Sequence, residues 1–173
     1  MKLTIYLAVL LLALVACSPV DNGPPPTATP PAALIAAIDD LLVAGSKLNA
    51  ATGQGVSYLN YRDYYAEVGG AFDLALASWP DEFAPDAKLE LLQAMLGWDL
   101  AGYMWAAQLD KKLTLQYDPR QDEFIQYGGD ALRTVAGSTG ETVQIRDENI
   151  GALLSLASAH FETGRDLLLP LMP

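Results

Sequence analysis

Residues 57–80, SYLNYRDYYAEVGGAFDLALASWP, hold the pattern that decides the predicted fold. Apolar and aromatic residues recur in this stretch at alternating steps of three and four: Tyr58, Tyr61, Tyr65, Val68, Phe72, Ala75 and Trp79. Such spacing places them on one side of an α-helix as a heptad-like seam. Because Ser57 can cap the first turn and Pro80 cannot continue a helix, we predict a helix between these two residues.

Three further amphipathic patterns accompany this helix. The first begins near Pro31 or Ala32 and ends before Gly53-Gln54-Gly55, because glycines break helices. The last runs from about Asp147, which we expect to cap it, to Leu169. Each of these two helices has one apolar side and must bury it against a neighbour.

The remaining pattern, from about Pro85 to Gln116, carries two adjacent apolar stripes. One stripe consists of Leu91, Met95, Trp98, Gly102, Trp105 and Leu109, and the other of Leu89, Leu92, Leu96, Leu100 and Tyr103. A helix that is apolar over most of its circumference is expected to lie at the centre of its domain.

Four amphipathic helices joined mainly by short loops predict an all-α, up-down four-helix bundle. The long connection over residues 117–146, before the last helix, departs from this scheme. Within it, we predict a short helix at Gln121–Tyr127 and an extended piece at Thr142–Arg146, where apolar and polar residues alternate. The segments GVSYLNYRDYYAE and AFDLAL resemble a pattern in uncharacterised secreted bacterial proteins, and this resemblance implies no activity.

The N-terminus has the parts of a bacterial export signal. Lys2 precedes an apolar run over Leu3–Ala16, which is shorter than the about 20 residues of a membrane-spanning helix. The residues Leu14-Val15-Ala16-Cys17 resemble the lipobox of bacterial lipoproteins. That resemblance implies cleavage before Cys17 and fatty acylation of this cysteine, palmitate included. The protein is therefore expected to be exported and lipid-anchored to the cell membrane or the outer membrane.

A proline-rich segment separates this cysteine from the helices. Residues 18–31, SPVDNGPPPTATPP, predict an extended tether that can span about 40 Å in the polyproline conformation. The predicted organisation is a signal peptide over 1–16, a lipidated cysteine with its tether over 17–31, and a helical domain over 32–173.

The composition excludes several classes of function. Removal of residues 1–16 with Lys2 leaves nine basic and 21 acidic residues, a balance that argues against nucleic acid and against anionic lipid head groups. The chain has one cysteine and one histidine, too few for an internal disulfide, a zinc site or a di-iron pair of Glu-x-x-His motifs. No metal or cofactor is expected, and a hydrolase of the triad type would depend on His160 alone.

Asp99 and His160 are the candidate polar site residues. Asp99 lies among apolar residues, so we expect it to be buried and hydrogen-bonded by tyrosines or Arg62. Its role would be either to fix the helix register or to bind a ligand or transfer protons. His160 flanks the apolar face of the last helix and is expected to be hydrogen-bonded at the core edge. The alternative is haem ligation together with Met95 or Met104.

Aromatic residues and glycines give two further sets of candidates. Trp98, Tyr103 and Trp105 are candidates to line a cavity between helices. The tyrosines at 58, 61, 64 and 65 either fill the core or offer a platform for sugars; the seam favours the core, with Tyr64 as the exposed candidate. Glycines within the helices indicate close packing or room for a ligand: Gly69, Gly70, Gly97, Gly102, Gly151 and Gly164.

These observations favour a non-enzymatic cell-envelope lipoprotein, attached to the membrane through Cys17, whose acidic bundle binds or scaffolds another envelope protein. The alternative is a carrier or sensor that holds a small apolar or aromatic ligand between helices. An enzyme is the third and least favoured class, and the sequence leaves the oligomeric state open.

The anchor is directly testable. Cys17→Ala removes the thiol that would carry the lipid, so the exported variant should leave the membrane fraction and lack the mass of the acyl chains. Fractionation and intact-mass measurement of variant and parent check this outcome. A variant that stays membrane-bound with unchanged mobility would show that Cys17 is not the anchor.

Overall fold

The computed structural model describes residues 30–112, 114–116 and 142–172. Four helices dominate it: α1 (Ala32–Gln54), α2 (Tyr58–Ser78), α3 (Pro85–Leu109) and α4 (Asp147–Leu168), the last followed by a 3-10 turn (Leu169–Leu171). Strands β1 (Thr114–Gln116) and β2 (Thr142–Gln144) pair antiparallel. The prediction of an all-α, up-down four-helix bundle is confirmed. Most of the connection before α4, with the short helix predicted at Gln121–Tyr127, lies outside the described residues.

Helix α2 follows the sequence prediction closely. The Ser57 Oγ accepts a hydrogen bond from the Asn60 backbone N–H at 3.3 Å, and the helix ends at Ser78, before Trp79 and Pro80. Most residues of its seam are buried, and Tyr58 and Tyr65 are half-buried at its margin. The three-four spacing therefore identified the side of α2 that enters the core.

Helix α1 extends further than its glycines suggested. The predicted end before Gly53 was wrong, because the helix continues through Gln54. It ends where Gly55 adopts a left-handed conformation with φ of 84°, which glycine reaches without strain. Gly53 alone, with helical geometry, does not break the helix.

Helix α3 ends earlier than Gln116, which corrects the sequence prediction. Asp110 caps it, and Lys111 is left-handed with φ of 59°. The Lys111 and Lys112 N–H groups bond to the carbonyls of Gln108 and Ala107, both at 2.9 Å, which closes a Schellman motif. Because a lysine occupies the position that is usually glycine, no residue in this stretch marks the end of the helix.

The start of α4 also differs from the prediction. Arg146 is the N-cap residue and makes no side-chain cap. Asp147 lies inside the first turn, where its negative charge complements the helix dipole. Its Oδ1 accepts a 2.6 Å hydrogen bond from Gln108 Nε2 and so joins α4 to α3. The extended piece predicted at Thr142–Arg146 is confirmed over the three residues of β2.

Helices α3 and α4 form the closest pair of the bundle. A Cβ on Gly97 would lie 2.9 Å from the Ala157 Cβ, and one on Gly164 would lie 2.9 Å from Leu91 Cγ. The side of α3 that faces α4 carries mostly small residues around three large ones: Ala87, Leu91, Ala94, Gly97, Trp98, Ala101, Met104 and Ala107. Small side chains let the two backbones approach closely, and α4 covers this stripe.

The second apolar stripe of α3 is left largely uncovered, so the expectation that α3 is enclosed on most sides was wrong. Leu89 is 44% exposed and Tyr103 is 58% exposed, and Leu92 and Leu96 are half-buried. Only Leu100 of that stripe is buried. The sequence prediction counted mainly large apolar residues as core residues. It therefore overlooked the alanines and glycines on which α4 packs.

The glycine contacts predict unequal effects of one substitution at two helical sites. Gly97→Leu forces a side chain against α4 and should lower the free energy of unfolding by about 2 kcal/mol or more. Gly151→Leu meets no atom within 4 Å of the new Cβ. This control should raise stability by up to about 1 kcal/mol through helix propensity. Urea denaturation followed by circular dichroism measures both, and equal stabilities would contradict the packing of α3 on α4.

Candidate functional site

A groove of about 530 Å³ lies between α2 and α3 and is open to solvent along one side. Its apolar lining comes from both helices: Phe72, Leu76, Leu92, Met95 and Leu96. Its polar lining consists of Tyr65, Asp73, Lys88 and Asp99. A concave apolar surface with a few polar groups has the character of a binding site. We call it the α2–α3 groove.

Helices α2 and α3 meet closely at the Tyr61 end of α2. There the Tyr61 ring packs on Gly102, where an added Cβ would lie 2.9 Å from Tyr61 Cε1. The Tyr61 hydroxyl also donates a hydrogen bond to the Trp98 backbone carbonyl. From this contact towards the start of α3, larger side chains face each other across the two helices, and the groove opens between them.

A polar contact lies at each end of the groove. At one end, the Tyr65 hydroxyl donates to Asp99 Oδ1 at 3.1 Å. At the other end, the Lys88 ammonium pairs with Asp81 at 3.0 Å and approaches the Trp79 carbonyl at 3.5 Å. The apolar lining lies between these two contacts, so the charged groups are available to orient an occupant rather than to fill the groove.

Gly69 leaves a gap in the α2 wall. It is half-buried and lies four residues from both Tyr65 and Asp73, on the side of α2 that faces the groove. A Cβ at Gly69 would meet no atom within 4 Å. Gly70 also meets none, but it is exposed and points about 100° away around the helix.

The helix glycines therefore divide between the two roles that the sequence left open. Gly97, Gly102 and Gly164 are packing positions, whereas Gly69, Gly70 and Gly151 face open space. Of the glycines in open space, Gly69 borders the groove.

Asp99 is exposed, so the expectation that it is buried was wrong. The expected hydrogen bond from a tyrosine is nevertheless present, and Tyr65 makes it. Arg62, the other expected partner, instead lies over the Tyr58 ring at 6.0 Å. Of the two polar candidates Asp99 and His160, Asp99 lines the groove, and its exposed carboxylate can contact an occupant directly.

Two tyrosines beside Asp99 have perturbed hydroxyls. Burial raises the pKa of Tyr61 strongly, and the neighbouring Tyr65, Asp99 and Tyr58 add to the effect. Burial also raises the pKa of Tyr65, together with the Asp99 carboxylate that accepts its hydrogen bond. Both hydroxyls are therefore hydrogen-bond donors, not bases, at neutral pH.

The three aromatic candidates do not share a cavity. Trp98 is buried against Phe161 of α4, with ring centroids 5.5 Å apart. Trp105 packs on Tyr58 and Tyr61, at 5.7 Å from each, while Tyr103 is exposed on the uncovered stripe of α3. The tyrosines of α2 mainly fill the margin of the core, and Tyr64, expected to be exposed, is half-buried against it.

His160 lies between α3 and α4, at the core edge as expected. Its side chain is 17% exposed, and its Nδ1 lies 2.7 Å from Glu90 Oε2. Glu90 is nine residues from Asp99, or about two and a half turns, and so lies on the opposite side of α3 from the groove. Met104 is fully buried and Met95 lines the groove, so the two methionines face different surroundings. His160 is thus a hydrogen-bonded residue of the α3–α4 interface.

Sequence reasoning missed most of the groove. Phe72 was assigned to a core stripe, and Met95 to a core stripe or to the alternative of haem ligation with His160. Asp73, Leu76 and Lys88 were assigned to no site. The second apolar stripe of α3 could have indicated the groove. Two adjacent stripes form an apolar surface that is wider than one neighbouring helix can cover.

Residues 30–112 and 142–172 hold none of the features of two other classes of site, a metal site and a membrane-spanning helix. Within these ranges, no group of three or more His, Cys, Asp or Glu side chains is placed to hold a metal ion. None of the helices there has both the length and the apolar character needed to cross a membrane. No protein family, curated protein or solved structure matches the chain.

The raised pKa of Tyr61 predicts a fall in stability at high pH. The unfolded chain releases this proton near its ordinary pKa of about 10 and the folded chain does not, so the free energy of unfolding falls as pH rises above that value. Tyr61→Phe should cost about 1 kcal/mol near neutral pH through the lost hydrogen bond, and should make the alkaline fall shallower.

Urea denaturation at about pH 7 and about pH 10.5 measures both effects. Tyr103→Phe is the matched control, because it removes the hydroxyl of an exposed ring and should leave the alkaline fall intact. An unchanged alkaline fall in Tyr61→Phe would show that this hydroxyl titrates freely.

Proposed function

We propose that the protein is a cell-envelope lipoprotein whose helical bundle binds a helix of another envelope protein in the α2–α3 groove. The observation that carries this proposal is the apolar groove together with the uncovered stripe of α3. Isolated exposed leucines are common on protein surfaces, but a continuous apolar strip beside an open groove is typical of an interaction site.

The shape of this surface favours a helix over a small molecule. The uncovered stripe continues past the groove at one end, since Tyr103 lies four residues beyond Asp99, the last α3 residue of the lining. From Leu89 to Tyr103 it runs for about 21 Å along α3. Sites for small molecules bury about 70–90% of the ligand, whereas this groove is open along its side. Peptide helices bind in such grooves through apolar residues at three- and four-residue steps.

The proposed anchor is compatible with this use of the groove. In an up-down bundle the N-terminus of α1 and the N-terminus of α3 lie at the same end. The Lys88 end of the groove is therefore at the end of the bundle where the tether would enter. A tether of about 40 Å would hold that end clear of the lipid head groups and accessible to a partner in the envelope.

The carrier hypothesis is supported only by the volume of the groove. The three residues that were expected to line a cavity, Trp98, Tyr103 and Trp105, do not line the groove. An enzymatic role would need polar groups that converge on one point, whereas Asp99 and Lys88 lie near opposite ends of the groove and Asp73 lies between them.

Site-specific photo-crosslinking in the producing cell tests the proposal. 4-Benzoylphenylalanine at Leu96, which lines the groove, should yield an adduct with another envelope protein. The same photo-crosslinker at Val43, which is 56% exposed on α1, is the control and should not yield that adduct. Adding Gly69→Met to the Leu96 variant should suppress the adduct, because the new side chain extends into the groove. Gly70→Met should leave it.

Three outcomes would contradict the proposal. One is an equal adduct from Val43, which would indicate non-specific proximity. Another is an adduct within the chain itself or with a second copy. The third is a small molecule attached at position 96, which would favour the carrier hypothesis.

A further inference from the structure

We infer that the occupant of the α2–α3 groove is an amphipathic helix with a basic side chain opposite Asp99. This inference rests on the proposed function and adds the chemistry of the partner. Three features support it: the register of the apolar residues, the gap at Gly69 and the charges that remain unpaired.

The register of the groove residues is that of a coiled-coil seam. On α3 the uncovered positions fall at alternating steps of three and four: Leu89, Leu92, Leu96, Asp99 and Tyr103. On α2 the residues Tyr65, Phe72 and Leu76 line the groove. Helical periodicity places Gly69 on the same side, so the four positions step by four, three and four. Two adjacent seams of this kind can accept one further helix by knobs-into-holes packing.

Gly69 supplies the hole for a large side chain. It occupies a seam position on α2, yet it presents no side chain there and has open space beyond it. In helix packing, a large knob on one helix fits where the facing helix has a small residue. The partner is therefore expected to place a leucine-sized residue against Gly69.

The charges of the groove favour a basic partner. Lys88 is engaged by Asp81 at 3.0 Å. Asp73 and Asp99 are both exposed, and no lysine or arginine of the described residues lies within ion-pair distance of either. Asp99 is the one charged position in the α3 seam, and a single polar position in a seam fixes the register of the partner helix. A lysine or arginine opposite Asp99 would complement it, whereas an acidic helix would be repelled.

A panel of synthetic helices tests this inference. The seam from Leu89 to Tyr103 is matched by a partner helix of about 15 residues. The probe is a 16-residue peptide with leucines at its seam positions and one lysine in the seam. The control peptide is identical except that glutamine replaces that lysine. Fluorescence anisotropy measures binding to the full chain, in phosphatidylcholine nanodiscs if Cys17 carries lipid and in buffer otherwise. Empty nanodiscs are the blank.

The lysine peptide should bind about fivefold more tightly than the glutamine peptide. Asp99→Asn keeps the acceptor for Tyr65 and removes the charge, so it should abolish that preference while leaving the glutamine peptide within about twofold. Gly69→Met should weaken both peptides by about tenfold, because it fills the hole. Gly70→Met makes the same change on another side of α2 and should leave both affinities unchanged.

The possible failures are distinguishable. If both peptides bind equally and Asp99→Asn changes neither, the basic partner is wrong, although Gly69→Met would still locate binding in the groove. If Gly69→Met and Gly70→Met have the same effect, or if neither peptide binds the parent chain, a helical occupant of the groove is wrong. The photo-crosslinking result at Leu96 then decides separately whether the groove contacts any protein.

Discussion

The close packing of α3 on α4 is the constraint on which the rest of the structure depends. Gly97 and Ala157 meet without room for another methyl group, and Leu91 occupies the space that Gly164 leaves open. Once small residues bring two backbones this close, that side of α3 is covered completely. Leu92 and Leu96 of α3 instead face α2 across the groove, and α3 contacts α2 far less closely than α4.

Tyr61 then determines how α2 meets α3. Its ring fits against Gly102, and its hydroxyl binds the Trp98 carbonyl, so the two helices are joined firmly near the Tyr61 end of α2. The buried hydroxyl satisfies its hydrogen bond at this contact, which makes it costly to break. The groove between α2 and α3 begins just beyond it, at the Tyr65–Asp99 hydrogen bond. The apolar groove and its polar ends thus follow from one close contact and one wide gap between the same two helices.

The sequence predicted the helices more fully than the groove. The seam of α2 was identified because alternating steps of three and four mark a buried side in any amphipathic helix. The end of α3 was missed because Lys111 adopts the left-handed conformation without being a glycine. Asp99 was singled out because it stands among apolar residues, and its burial was inferred from those neighbours in sequence. Burial depends on which helix covers that side, and the local pattern does not contain this information.

Four properties could be read from the residues alone: the number of helices, the sides that carry their apolar residues, the acidic charge and the candidate lipid-anchor motif at Cys17. These properties depend on residue type and on helical periodicity, which are local. Only the tertiary structure decided which stripe of α3 would be buried, because α4 packs on alanine and glycine where the pattern favoured leucine. It also decided that Asp99 lies beside an open groove, since that position depends on how far apart α2 and α3 lie once Tyr61 has packed on Gly102.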